Sequence, residues 1–201
     1  EQVMVITGGS SGIGLATAQL FARHGAEVII TARRKQVLDA AVQAIGPGAI
    51  GIQGDVADVE HHIAVADQVK RRFGALDVYM ANAGVLTITP SAKVSPAEFD
   101  AQFGVNARGT FFGVQAIAPV MREGGSIILT SSLASSKVLE GHAVYAGSKA
   151  ALEAFARSWA VEFKDRQVRV NVLSPGPVDT SILEKLGVPE ADRPAFLKTM
   201  A

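Results

Sequence analysis

The amino-acid sequence predicts an α/β domain built as a doubly wound parallel sheet with helices on both faces. Three observations carry that expectation. Short runs rich in β-branched residues alternate along the chain with segments of helical period. Several of those runs are apolar throughout rather than alternating, as strands covered on both faces are. A glycine-rich turn stands between the first run and the first helical segment.

Val3-Met4-Val5-Ile6 reads as the first strand, and Ile13, Ala16, Thr17, Leu20 and Phe21 form the stripe of the helix after it. Further strands are expected at Glu27-Val28-Ile29-Ile30, Ala49-Ile50-Gly51-Ile52, Leu76-Asp77-Val78-Tyr79-Met80, Ser126-Ile127-Ile128-Leu129 and Val168-Arg169-Val170-Asn171-Val172. Leu152, Phe155, Ala156, Trp159 and Phe163 mark a long helix before the last of these. Right-handed crossovers then bring the carboxyl ends of the strands to one crevice. From Pro175 to Ala201 the chain reads as a turn and two short helical pieces split near Gly187-Val188-Pro189, with no further strand. No repeat, low-complexity tract or Pro/Gly-rich linker divides the 201 residues, so 1–201 is expected to be a single domain, with 176–201 a lid segment on the substrate side.

Nineteen basic and nineteen acidic residues cancel, and the longest basic cluster is Arg33-Arg34-Lys35, so a nucleic-acid partner is not expected and a small molecule is. The absence of cysteine excludes disulfides, thiolate metal sites and cysteine nucleophiles. No apolar stretch approaches the ~20 residues of a membrane helix, and no leader is visible before Val3, which predicts a soluble, cytoplasmic protein without a membrane partner. His24, His61, His62 and His142 show no metal spacing and read as surface or core histidines, and no metal is expected; only the position of His142, three residues before Tyr145, offers the lesser alternative of a substrate contact.

Thr7-Gly8-Gly9-Ser10-Ser11-Gly12-Ile13-Gly14 has the spacing GxxxGxG between a strand and a helix. Glycines there let the backbone turn tightly against a pyrophosphate that the helix N-terminus stabilises, which makes Gly8, Ser10, Ser11, Gly12, Ile13 and Gly14 candidate cofactor residues of a Rossmann-type fold. The second strand ends at Thr31-Ala32-Arg33-Arg34, where an acid would be expected to accept the ribose hydroxyls of NAD. That acid is missing. The Arg33 guanidinium, with Arg34 beside it, suits a 2′-phosphate, so NADP(H) is favoured and NAD(H) stays open. Asp55 and Val56 end the third strand, where a carboxylate can accept from the adenine amino group and the valine can pack on the ring; Asp58 is the better helix cap. Asn82-Ala83-Gly84 ends the fourth strand with small residues that let the backbone approach the cofactor.

Tyr145 and Lys149 are four apart on a helix and share a face, so the ammonium is expected to draw the phenol toward phenolate. Ser132, at the end of the fifth strand, can donate to a carbonyl beside the Tyr145 oxygen. Ser131, one place off, would face away. Asn106 is a polar residue inside a core-facing helical pattern.

Together, in this order and on these elements, the residues resemble the classical short-chain dehydrogenase/reductase family from Val3 to about Thr180. The resemblance implies an oxidoreductase acting on CH–OH and C=O groups, with Tyr145 as general acid or base. It implies that Lys149 lowers the Tyr145 pKa and holds the nicotinamide ribose, that Ser132 orients the substrate oxygen, and that Asn106 holds a water in a proton relay. Pro175-Gly176-Pro177-Val178-Asp179-Thr180 resembles the family's turn beside the nicotinamide, with Pro175, Gly176, Val178 and Thr180 as cofactor residues. The family's last helix and strand have no counterpart in the pattern, which leaves one sheet edge open. A homodimer or homotetramer is expected through helices near residues 98–121 and 144–163. Leu86, Leu133, Val138, Leu139 and Ile182 point to a partly apolar substrate pocket, with ketones, aldehydes, polyols, steroids and acyl thioesters all open. Two alternatives stand beside NADPH-linked reduction: a non-catalytic dinucleotide-binding regulator, and an NAD-linked dehydrogenase, epimerase or dehydratase that shares the Tyr/Lys pair.

Overall fold

The computed structural model describes residues 2–137, 139–180, 183 and 187–200, without the side chains of Thr199 and Met200. Val138 and Ile182, expected in the substrate pocket, lie outside the described residues. Strands β1 (Val3–Thr7), β2 (Glu27–Ala32), β3 (Ala49–Gln53), β4 (Leu76–Ala81), β5 (Met121–Thr130) and β6 (Arg169–Leu173) form one sheet in the order β3-β2-β1-β4-β5-β6. All pairings are parallel, for example Val5 with Ile29 and with Tyr79. The winding reverses between β1 and β4, and a crevice opens there beyond the carboxyl ends.

Alternate residues of β1 feed two cores. Val3 and Val5 join Leu76, Tyr79, Ile127 and Leu129 on one face, under helices α3 (Val59–Phe73), α5 (Gly109–Ile117) and α6 (Ala143–Glu162). Met4 and Ile6 join Val28, Ile30 and Met80 on the other, under α1 (Gly12–Arg23) and α2 (Lys35–Ile45). Burial on both faces is why these strands are apolar throughout. The outer strands β3 and β6 are only partly covered. Asp58 caps α3, accepting from the Glu60 N–H at 3.1 Å, as its position suggested.

Two elements differ from the expectation. β5 begins at Met121 rather than Ser126, with its register shifted between Leu76 and Val78 and Gly124 in the left-handed region at φ +76°. Helix α4 (Pro96–Phe103) runs into α5 through a π-helical turn, Gly104–Arg108, that carries Asn106. The helix α7 (Arg193–Met200) ends the described chain, and among the described residues no strand follows β6. No described helix is long and apolar enough to cross a membrane.

Candidate active site

The segments that follow all six strands border one cavity of about 310 Å³. Every residue named from the sequence as catalytic or cofactor-binding lines it except Gly14 and Asn106, which lie beneath its wall. Gly14 serves close packing: a Cβ there would stand 2.5 Å from the Gly8 carbonyl oxygen and 2.6 Å from Asn82 Nδ2. Gly8 is left-handed at φ +66°, and its Cβ would meet Ala83 Cα at 2.8 Å.

At this end the loop between β1 and α1 and the loop after β4 are tied together. Asn82 Nδ2 donates to the carbonyls of Thr7 and Gly8 at 3.1 and 3.2 Å. Thr7 Oγ1 accepts from the N–H groups of Asn82 and Ala83 at 3.0 and 3.1 Å. Helix α1 has no side-chain cap bond from Ser11 and no acid in its first turn, and Ser11, Gly12 and Ile13 at its start line the cavity. Farther along, Arg33 Nη1 lies 3.6 Å from Asp55 Oδ2 at the exposed rim, while Asp55 Oδ1 accepts from the Ala57 N–H at 2.9 Å. Buried His62 bonds the Val56 carbonyl through Nε2 at 2.8 Å, and burial holds the imidazole pKa below its usual value.

The opposite end is dry. Tyr145 is 9% exposed, Lys149 3%, and Asn106 and Ser148 not at all. Burial raises the Tyr145 phenol, and a hydrogen bond with Ser132 acts against that rise. Lys149 Nζ donates to the Thr130 carbonyl at 2.7 Å, and burial pushes the amine down to about 8. Asn106 Nδ2 donates to the Val85 carbonyl at 2.9 Å and to Ser148 Oγ at 3.0 Å, and its Oδ1 accepts from the Val85 N–H at 2.8 Å. Ser148 Oγ in turn donates to the Tyr145 carbonyl at 2.7 Å. This ladder anchors the loop after β4 to the helix that carries Tyr145 and Lys149.

A family model for the short chain dehydrogenase matches residues 2–191. The chain belongs to the short-chain dehydrogenase family. It is 43% identical over 183 residues to an oxidoreductase of Sarocladium schorii, a match covering 90% of this chain and 74% of that one. It is 35% identical over 186 residues to a trihydroxynaphthalene reductase of Colletotrichum orbiculare, covering 90% and 66%. A short-chain dehydrogenase from Burkholderia cenocepacia, solved in complex with NADP, superposes with a TM-score of 0.86 at 35% identity, covering 90% of this chain and 76% of that one.

Short-chain dehydrogenases bind NAD(P), and this one offers what a dinucleotide needs: a helix N-terminus without a side-chain cap bond, glycines that let the loop pack closely on the segment after β4, and a cavity running on to Tyr145. Against the expectation from sequence, the net direction for the Tyr145 phenol is upward. Lys149 does not reverse it, because Nζ is held by the Thr130 carbonyl 5.9 Å from the phenol ring centroid, and desolvation dominates. Sequence reasoning also missed Thr7, Ser148 and Glu153. Ser131 Oγ and Ser135 Oγ lie 3.1 and 2.5 Å from Glu153 Oε1, clamping the segment that presents Ser132. Glu153 stands four residues beyond Lys149, so extending the Tyr145–Lys149 spacing by one turn finds it.

Proposed function

We propose that this oxidoreductase reduces a carbonyl with NADPH, running the reverse oxidation of a secondary alcohol when cofactor ratios favour it. One observation carries the reading: a buried phenol beside Ser132 at the inner end of a cavity whose outer end is lined by the glycine-rich start of α1. When bound, the nicotinamide supplies the hydride. Tyr145 gives its proton to the carbonyl oxygen as negative charge develops, and a phenol kept protonated by burial is ready for that direction. Ser132 donates to the same oxygen and fixes its position. Lys149 holds the nicotinamide ribose and supports the return of a proton to Tyr145, with a water held near Asn106 leading to solvent.

For the cofactor, Ser10, Ser11, Gly12, Ile13 and the start of α1 take the pyrophosphate. Arg33, with Arg34 beside it, takes the 2′-phosphate. Asp55 and Val56 take the adenine, Asn82-Ala83-Gly84 the ribose region, and Pro175, Gly176, Val178 and Thr180 the carboxamide side. Residues 176–201 act as the substrate-side lid, supported by Leu183 and Phe196 bordering the cavity. The relative's name as a trihydroxynaphthalene reductase favours a cyclic, ring-hydroxylated substrate over an open-chain one. The whole works as one domain, and as a homodimer or homotetramer through the faces of α4, α5 and α6, where Phe99 and Val161 are exposed.

The test is consumption of NADPH and NADH with a panel of cyclic ketones by the native enzyme and by Tyr145→Phe. Turnover with NADPH that falls about 10²- to 10⁴-fold in the variant, with NADPH still bound, is the expected result. Undiminished turnover in Tyr145→Phe removes the phenol from the mechanism, and tight cofactor binding without turnover by the native chain identifies a regulator instead.

A further inference from the structure

One residue that lines the cavity carries a buried nitrogen with no partner among the described residues. His142 immediately precedes α6, is 7% exposed, and lines the same cavity as Leu86, Leu133 and Leu139. Its Nδ1 lies 2.7 Å from the Glu140 carbonyl oxygen. A carbonyl can only accept, so Nδ1 donates in that bond, and in the Nδ1-protonated tautomer Nε2 is the acceptor. That Nε2 is buried and makes no hydrogen bond among the described residues. An acceptor shut away from water without a donor is destabilising, and an apolar residue would avoid the penalty.

The ring is held in place. The His142 N–H donates to the Leu139 carbonyl at 3.3 Å, and its own carbonyl accepts from Ala146 at 2.7 Å. The preceding Gly141, at φ +71°, accepts from the Thr89 N–H at 2.9 Å and ties the turn to the segment after β4. The imidazole meets the Tyr145 ring edge-on at a centroid distance of 6.5 Å.

We propose that His142 determines substrate specificity: its Nε2 accepts a hydrogen bond from a hydroxyl of the substrate, selecting ring-hydroxylated cyclic ketones over unsubstituted ones. The inference rests on Tyr145 as the proton donor, since that fixes where the carbonyl sits and therefore which side of the substrate meets His142. Burial of the ring disfavours a charged ammonium as the donor and leaves a neutral hydroxyl.

The NADPH-saturated enzyme is titrated with α-tetralone and with its ring-hydroxylated derivatives, reading both Kd and, by turnover, kcat and KM. The native enzyme is expected to prefer at least one hydroxylated derivative by about tenfold or more. In His142→Leu that ratio falls toward one, chiefly through KM, and His142→Gln, which keeps an acceptor, retains part of it. His142→Phe gives the same ratio where the leucine variant fails to fold. A native enzyme that prefers none of the hydroxylated ketones overturns the proposal, as does a preference unchanged in His142→Leu or His142→Phe. The Kd ratio decides this without turnover, so activity surviving in Tyr145→Phe sinks the reductase mechanism separately.

Discussion

The two ends of the cavity are built by opposite means. At the inner end, Tyr145, Lys149, Asn106 and Ser148 are buried and held by hydrogen bonds of 2.7 to 3.0 Å, three of the four between elements far apart in sequence. At the outer end, Arg33 and Asp55 hold each other across 3.6 Å with side chains 61% and 42% exposed. Burial makes the first end rigid and costly, since each polar group needs a partner and each charge resists desolvation. Exposure makes the second end inexpensive to change. On the proposed function, the reaction chemistry is therefore fixed in the scaffold, while cofactor choice rests on side chains that substitution can alter with little consequence for folding.

The cost at the buried end is the largest effect to test. Lys149 loses its proton at about 8 in the folded chain against 10.5 for the ordinary group. Between those values the unfolded chain holds the extra proton, so stability rises with pH through that window and the full penalty applies below it. The shift corresponds to roughly 3 kcal/mol, and losing the bond to the Thr130 carbonyl takes back about 1 kcal/mol. Lys149→Met, free of cofactor, is expected to be more stable than the native chain by roughly 2 kcal/mol at pH 7. The gap should close as pH rises from 8 toward 10.5. Urea denaturation of both chains at the two ends of that window measures it; equal stability at pH 7, or a gap that widens with pH, would show that the buried end carries no such cost.

The same contrast explains what the sequence disclosed. The parallel, doubly wound sheet and its crevice followed from runs such as Val28–Ile30, whose continuous apolarity reflects cover on both faces, and from the glycines at 8, 12 and 14. Tyr145 and Lys149 were legible because helical spacing alone puts them on one face. Their electrostatics were not, since the carbonyl that holds Nζ belongs to Thr130, on a strand 19 residues away. The π-helical turn around Asn106 escaped for a related reason: it is held by bonds to Val85 and Ser148, and nothing in the local pattern of residues 104–108 marks it. Glu153 was passed over because its partners, Ser131 and Ser135, sit on another element.

At the exposed end the next effect is smaller and selective. Arg33→Ala is expected to weaken NADPH binding by about tenfold, the scale of one charge-assisted contact with phosphate. NADH binding should change little, because NADH carries no 2′-phosphate. Fluorescence titration with each cofactor separates the two, and equal losses for both would remove Arg33 from the 2′-phosphate site.

The smallest effect is the ion pair itself. Arg33 and Asp55 are both open to solvent, where Coulomb attraction is weak and ordering a long side chain opposes it. A double-mutant cycle with Arg33→Ala and Asp55→Ala, read by urea denaturation without cofactor, should give a coupling of roughly 0.2–1 kcal/mol that declines as salt is added. Asp55 also accepts from the Ala57 N–H, so the single change at Asp55 should be the more destabilising of the two, and the cycle cancels that difference. A coupling well above this range would mean that the pair is a structural clasp and that Arg33 is not free to turn toward a phosphate. A coupling near zero would leave its guanidinium available, and the contrast between the two ends would then be as sharp in energy as it is in burial.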